Sequence, residues 1–186
     1  SQAKGNPRKW SDIDVAIMAE PLPEGGLMTQ AVYDEAFLMA VPRAHPWAKR
    51  KRVAADDLKK EALLLLGAGH CFRDQVLEVC PELSHPLPTA EGMQKTFEGS
   101  SLETIRHMVA SGLGLTVLPQ SSVPVHPPRD SLISYVPFED PVPTRRIVLA
   151  WRKSYVREAA ISTLAAAIRQ CEMNGVTPLT AAVTAT

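Results

Sequence analysis

The chain lacks any imbalance of charge: 20 Lys and Arg stand against 20 Asp and Glu, a formal net charge of zero. A neutral balance supplies no basic surface for nucleic acid or an anionic membrane. No stretch approaches the roughly 20 apolar residues that a membrane-spanning helix needs. The polar start, Ser1 to Trp10, has no secretory apolar segment. Three cysteines at irregular spacing do not build a disulfide framework. Cys71, His70 and His85 fall in neither a C-x-x-C nor an H-x-x-x-H pattern, so no metal is expected. There is no internal repeat. What remains is an ordinary globular chain of 186 residues, enough for one domain or two small ones. A reducing cytoplasm is the natural setting, in which a disulfide is transient and regulatory.

Strand and helix patterns alternate along the chain. Ile13 to Met18 reads as a short apolar strand, followed by a Pro-Gly loop from Glu20 to Gly26. Leu27 to Val32 and Ala36 to Val41 read as two further strands, the second closed by Pro42. His45-Pro46-Trp47 is a turn, the basic cluster Lys49 to Arg52 a solvated one, and Asp56-Asp57-Leu58 opens a short helix. Ala62 to Leu66 is a buried strand. Ser100-Ser101-Leu102-Glu103 forms a capping box for a helix from Leu102 to Ala110, stopped by Gly112. Gly114 to Leu118 and Ile147 to Trp151 are strands, and Val156 to Met173 is a long helix that includes Cys171 as a packing residue. Trp47 and Trp151 are expected in the core or at a lobe interface. This alternation predicts α/β layers around a central sheet.

The chemistry concentrates at Gly69-His70-Cys71-Phe72-Arg73-Asp74-Gln75, with Cys80 nine positions on. A glycine turn precedes the string and Phe72 to Val79 reads as a helix, which places Cys71 at its first turn. There the thiol meets unpaired backbone N–H groups and the positive end of the helix dipole, with His70 and Arg73 beside it. Asp74 opposes that field, or orients Arg73 or His70. If 71–80 were one helix, the two Cα atoms would be roughly 13 to 14 Å apart, whereas a disulfide needs them within about 7 Å. If they bond, the segment must unwind, and oxidation becomes a change of shape. Pro81 favours a break, and the run to Pro88 is loop-like. The same spacing also fits two unrelated cysteines, one under a helix and one near its end.

These residues carry a resemblance. From about Ile13 to the last helix the chain resembles the effector-binding region of LysR-type transcriptional regulators, and among them the peroxide-sensing OxyR group. The Gly-His-Cys string with Cys80 is the specific part. The helix Ser101-Leu102-Glu103-Thr104-Ile105-Arg106, leading through Gly112-Leu113-Gly114 to Leu118-Pro119, is shared across the whole family. The resemblance implies a periplasmic-binding-protein-like α/β fold with one near-complete lobe, residues 35–149, carrying the redox cysteines. Residues 1–34 and 150–186 are then remnants of the other lobe. It implies that Cys71 is the peroxidatic cysteine, oxidised by hydrogen peroxide to a sulfenic acid, and Cys80 the resolving cysteine. His70, Arg73 and Asp74 match residues beside the thiol. Arg145 matches an arginine that approaches it, a role Arg146 takes if the register shifts by one. Implied partners are hydrogen peroxide, RNA polymerase, a glutaredoxin–glutathione reductant and further copies of the full-length protein, with no cofactor.

The departures are equally specific. The family's winged helix-turn-helix and linker helix have no counterpart, so DNA contact is expected only through an N-terminal domain absent here. The strand-helix-strand that opens the first lobe is also missing, and with it the hydroxyl residues that help to bind peroxide. The incomplete lobe is expected to expose apolar edges and leave the isolated chain poorly soluble or dependent on a partner. Two alternatives stay open. One is a LysR-type domain that binds a small organic effector with Cys71 incidental; the other is a thiol peroxidase, which needs turnover and an electron-donor site. The favoured expectation is a regulator rather than an enzyme.

Overall fold

The computed structural model describes residues 13–22, 25–61, 63–68, 70–79, 97–180 and 183–185. Ala62, Gly69, Cys80 and the loop residues 81–88 read above lie outside the described residues. The chain divides into two compact units, residues 1–35 with 145–186, and residues 36–144. From the sequence, the lobe borders are expected at 34/35 and 149/150. Residues 145–149 lie on strand β7 (Thr144–Arg152), which falls in the first unit from Arg145 onward.

In the first unit, β1 (Val15–Ala19) pairs antiparallel with β7, from Val15 opposite Trp151 to Ala19 opposite Ile147. β7 lies between β1 and the first half of β2 (Leu27–Pro42). Ile147 to Trp151 are all buried, as expected of a strand covered on both faces. Val32, Ile147, Leu149 and Trp151 pack against Ile161 and Ala165 of helix α3 (Glu158–Gln170). Two short strands, β8 (Val176–Pro178) and β9 (Val183–Ala185), pair antiparallel with β2. At β1, Ile13 and Ile17 are exposed.

The second unit is organised by the other half of β2. β2 pairs antiparallel with β5 (Thr116–Pro119) and with β6 (Ile133–Pro137). Successive strand side chains point to opposite faces, and here the two faces feed two separate cores. Phe37, Met39 and Val41 join Leu63, Leu65, Val117, Trp47, Leu58 and Val76. Leu38 and Ala40 join Leu64, Leu66, Leu118, Ile105 and Val109. Helix α1 (Cys71–Val79) therefore covers one face through Val76, and helix α2 (Leu102–Ala110) covers the other through Ile105 and Val109. β3 (Leu64–Leu66) pairs parallel with β4 (Phe97–Gly99) and is tied to β5 by Leu64 N–H donating to the Leu115 carbonyl, 2.8 Å, and by the buried Thr116 hydroxyl donating to the Leu64 carbonyl, 2.8 Å.

Four local expectations change. The strands read at 27–32 and 36–41 are one strand, because the charged break between them is neutralised in place: Asp34 pairs with Arg146 and Glu35 with Arg145. The α2 cap is Ser101, whose hydroxyl accepts from Thr104 N–H at 3.1 Å, while Glu103 pairs with Arg106. The cap is thus one residue later than read from Ser100, and Thr104 Oγ1 lies 3.0 Å from the Ser101 hydroxyl. The last helix spans Glu158–Gln170, and Cys171 takes an extended backbone just past it with its side chain exposed, so it is not a packing residue. β4, β6, β8 and β9 were not read as strands. Trp47 and Trp151 are each buried in the core of their own unit.

Gly99 sets how closely α2 approaches β4. A Cβ built there would lie 2.5 Å from Ile105 Cγ1 and 3.6 Å from Ile105 N, inside the packed core. At Gly67 a Cβ would meet only the Glu98 carboxylate, at 3.6 Å. Gly99→Ala is expected to cost about 1–3 kcal/mol, the usual overpacking penalty, and Gly67→Ala about 0.5 kcal/mol or less. Urea unfolding midpoints at unchanged slope would measure both, and equal losses would refute the assignment of the contact to Gly99.

Candidate functional site

The site is a strand-turn-helix unit built at the end of β3. Beyond Leu66, Gly67 N–H donates to the Gly99 carbonyl at 3.2 Å and extends the ladder with β4 by one bond. His70 N–H then turns back to the Gly67 carbonyl, 3.3 Å, and the His70 carbonyl accepts from Arg73 N–H, 2.9 Å. That last bond opens α1, so Cys71 is its first helical residue. The N–H groups of a helix's first turn have no partner within the helix, and the helix end carries partial positive charge. Cys71 sits in that field with its side chain exposed as a free thiol.

The rest of α1 explains why the thiol faces out. Phe72, Gln75 and Val76, at helical spacing, form the packed face, with Gln75 at 5% and Val76 at 1% exposure. Phe72 packs against both cores of the unit and meets Phe37 edge to face, ring centroids 5.8 Å apart. Cys71, Asp74 and Glu78 occupy the exposed face. His70 is exposed immediately before the helix.

Arg73 is held rather than free. Its guanidinium folds back over β3, donating to the Leu66 carbonyl at 3.0 Å and pairing with the Glu98 carboxylate at 2.5 Å. It ties the start of α1 to both β3 and β4. Glu98 was not singled out from the sequence: it lies 25 positions away on a three-residue strand with no pattern of its own.

Arg145 and Arg146 belong to the first unit. Arg145 donates through Nε and Nη2 to one oxygen of Glu35, both at 2.7 Å, and Glu35 is 1% exposed. Arg146 forms a bidentate pair with Asp34, at 2.9 and 3.0 Å, near the surface. This pairing pushes the Arg146 guanidinium further up. Burial, then the Glu35 carboxylate, push the Tyr33 phenol upward, and Arg145 opposes them. Glu35 and Asp34 were also missed, since 110 and 112 positions separate them from their arginines. Among the described residues no cluster of three or more His, Cys, Asp or Glu could hold a metal, and no helix is long and apolar enough to cross a membrane.

The two ion pairs differ in burial and hence in consequence. Glu35→Ala leaves Arg145 largely desolvated without its carboxylate and is expected to cost about 3–5 kcal/mol. Asp34→Ala removes an exposed pair worth about 1 kcal/mol or less. Paired denaturation curves test this, and equal costs would contradict it. A Tyr33 pKa raised by folding contributes stability that is complete below the ordinary tyrosine range and is lost as pH rises through the folded value. Tyr33→Phe is therefore expected to remove one step from the alkaline stability profile.

Residues 11–171 match the LysR substrate binding domain family. Among characterised relatives, the DNA-binding transcriptional dual regulator OxyR of Escherichia coli K12 is 38% identical over 157 residues, covering 84% of this chain and 49% of that protein. A probable hydrogen peroxide-inducible genes activator of Streptomyces viridosporus is 36% identical over 158 residues, 85% of this chain and 49% of that protein. The chain thus spans about half the length of these relatives. The reduced form of OxyR from N. meningitidis superposes with a TM-score of 0.81 at 42% identity, covering 92% of this chain and 78% of that one. A reduced OxyR regulatory domain from Pseudomonas aeruginosa gives 0.73 at 45% identity, over 88% and 76%. The fold is accordingly the periplasmic-binding-protein-like α/β fold expected from the sequence, and the chain belongs to the LysR family of transcriptional regulators through its substrate-binding domain.

Proposed function

We propose that this chain is the redox-sensing regulatory domain of a LysR-type transcriptional activator, and that hydrogen peroxide is its signal. The observation that carries the reading is the exposed Cys71 thiol on the first residue of α1. Its thiolate attacks one peroxide oxygen; the O–O bond breaks, hydroxide leaves and Cys71 becomes a sulfenic acid. The thiol of Cys80 then displaces that oxygen as water and closes a disulfide. Donors that stabilise the departing hydroxide speed the first step. The first-turn N–H groups of α1 and His70 are suited to this, and Asp74 moderates their field. Arg145, with Arg146 as the alternative, is carried over from the family in the same role.

The helix makes the disulfide a switch. From Cys71 to Val79 the α1 backbone covers about 12 Å, and the next Cα is about 3.8 Å further along the chain. Cys80 therefore cannot bring its Cα within about 8 Å of that of Cys71 while α1 is intact, beyond the roughly 7 Å limit for a disulfide. Oxidation must unwind part of α1, and Phe72, Gln75 and Val76 link that unwinding to the core.

On this reading residues 36–144 are regulatory lobe II and the other unit belongs to lobe I. The full-length protein acts in the cytoplasm as a homo-oligomer, contacts DNA through a separate N-terminal domain, engages RNA polymerase and is reset by a glutaredoxin–glutathione system. The peroxide reaction is stoichiometric signalling, not enzymatic turnover, and needs no cofactor.

Peptide mass spectrometry after one equivalent of hydrogen peroxide tests the reading. A Cys71–Cys80 disulfide is expected within minutes, with a loss of helical far-ultraviolet signal. Cys71→Ser should abolish it, and Cys80→Ser should leave a dimedone-reactive sulfenic acid at Cys71. A folded chain in which Cys71 stays reduced would reject the proposal.

A further inference from the structure

The strand-turn-helix unit holds an ion pair that the peroxide chemistry does not use. Arg73 donates through Nη1 to the Leu66 carbonyl at 3.0 Å and pairs with the Glu98 carboxylate at 2.5 Å. Leu66 ends β3, and Glu98 lies opposite Leu65 on β4, so one guanidinium spans two neighbouring strands. The bond to Leu66 also closes the turn after β3 into a loop, and Cys71 lies inside that loop. Glu98 stays close to the same turn, with Oε2 3.6 Å from where a Cβ on Gly67 would stand. The Arg73 side chain is 22% exposed and that of Glu98 47%, so water screens the pair only in part.

The two halves of α1 are held differently. Gln75 and Val76 are buried and Leu77 packs against the same core, so burial fixes the second half. In the first turn Cys71 and Asp74 are exposed and Phe72 is half-buried. Opening the second half would expose a buried amide and two apolar side chains. Opening the first turn costs only the Phe72 contacts and the Arg73 clamp. The first turn is therefore the easier place for the helix to open, and the clamp is its polar tie to the sheet.

Resting on the redox reading above, we infer that Glu98 is a positioning residue for disulfide closure. Through Arg73 it holds the first turn of α1 shut, and so sets how readily the Cys71 sulfenic acid becomes a disulfide. In that step the Cys80 sulfur bonds to the Cys71 sulfur, the S–O bond breaks, and the oxygen leaves as water with the thiol proton. No further oxidant is consumed. Glu98 touches none of the reacting atoms. It acts on the second step alone, because the thiol is already exposed for the first.

Glu98→Gln removes the charge and keeps the length of the side chain on β4. Rapid-quench alkylation with peptide mass spectrometry reads the two steps apart, sulfenic acid formation being measured in a Cys80→Ser background. Glu98→Gln is expected to speed closure roughly two- to fivefold, as an ion pair of this exposure allows, and to leave formation unchanged. Asp57→Asn breaks the Arg50–Asp57 pair elsewhere in the unit and is expected to change neither step. In the reduced protein, amide hydrogen exchange at 72–75 is expected to rise in Glu98→Gln and not in Asp57→Asn. The inference is overturned if wild type closes the disulfide and Glu98→Gln closes it no faster. It is overturned equally if formation accelerates as much as closure, because Glu98 then acts on the charge of the thiol, or if Asp57→Asn has the same effect. A wild-type chain that forms no disulfide overturns the redox reading, and this inference with it.

Discussion

The alternation of side chains along the second half of β2 is the constraint on which the second unit rests. Phe37, Met39 and Val41 are committed to one core, and Leu38 and Ala40 to the other. A register slip of one residue would exchange the two sets and leave both helices without a seat. α1 and α2 therefore lie on opposite faces of the sheet as a consequence of β2, and the orientation of Cys71 follows from where α1 is pinned. Phe37 carries this to the site directly, because its ring is the partner of Phe72, one residue from the thiol.

The proposed switch needs an accessible thiol coupled to something buried, and the first two turns of α1 offer both. Cys71 faces solvent, and the next residue, together with Gln75 and Val76, is packed into the unit. Arg73 reinforces the start of the helix through β3 and Glu98. Under the proposed disulfide, unwinding α1 would set the geometry of one sulfur against a few apolar contacts and an ion pair that is only partly buried, a balance of a few kcal/mol.

Charge within strands is the second organising feature. Asp34 and Glu35 interrupt an otherwise apolar strand, and a reading from pattern alone breaks β2 there. Arg145 and Arg146 let the strand continue by neutralising both carboxylates from β7. Each charge is costly only when unpaired, and whether it is paired depends on a strand more than a hundred positions away.

What the sequence determined by itself is whatever is local or periodic. The helix from Leu102 to Ala110 and its stop at Gly112, the helix that begins beside Cys71, and the apolar strands at 64–66 and 147–151 follow from spacing, capping and turn chemistry within a dozen residues. The Gly-His-Cys string was legible for the same reason, since its residues are neighbours. Tertiary structure decided the rest. Three-residue strands such as β4, β8 and β9 have no period to read and exist only because a longer strand accepts them. The cap of α2 moved to Ser101 because its backbone, not its motif, is extended there. The partners of Arg73 and Arg145, and the merging of two strands into β2, rest on pairings across 25 and 110 positions. No local property of a carboxylate says which arginine the fold will bring to it, because that choice is made by the packing of the strands on which both residues ride.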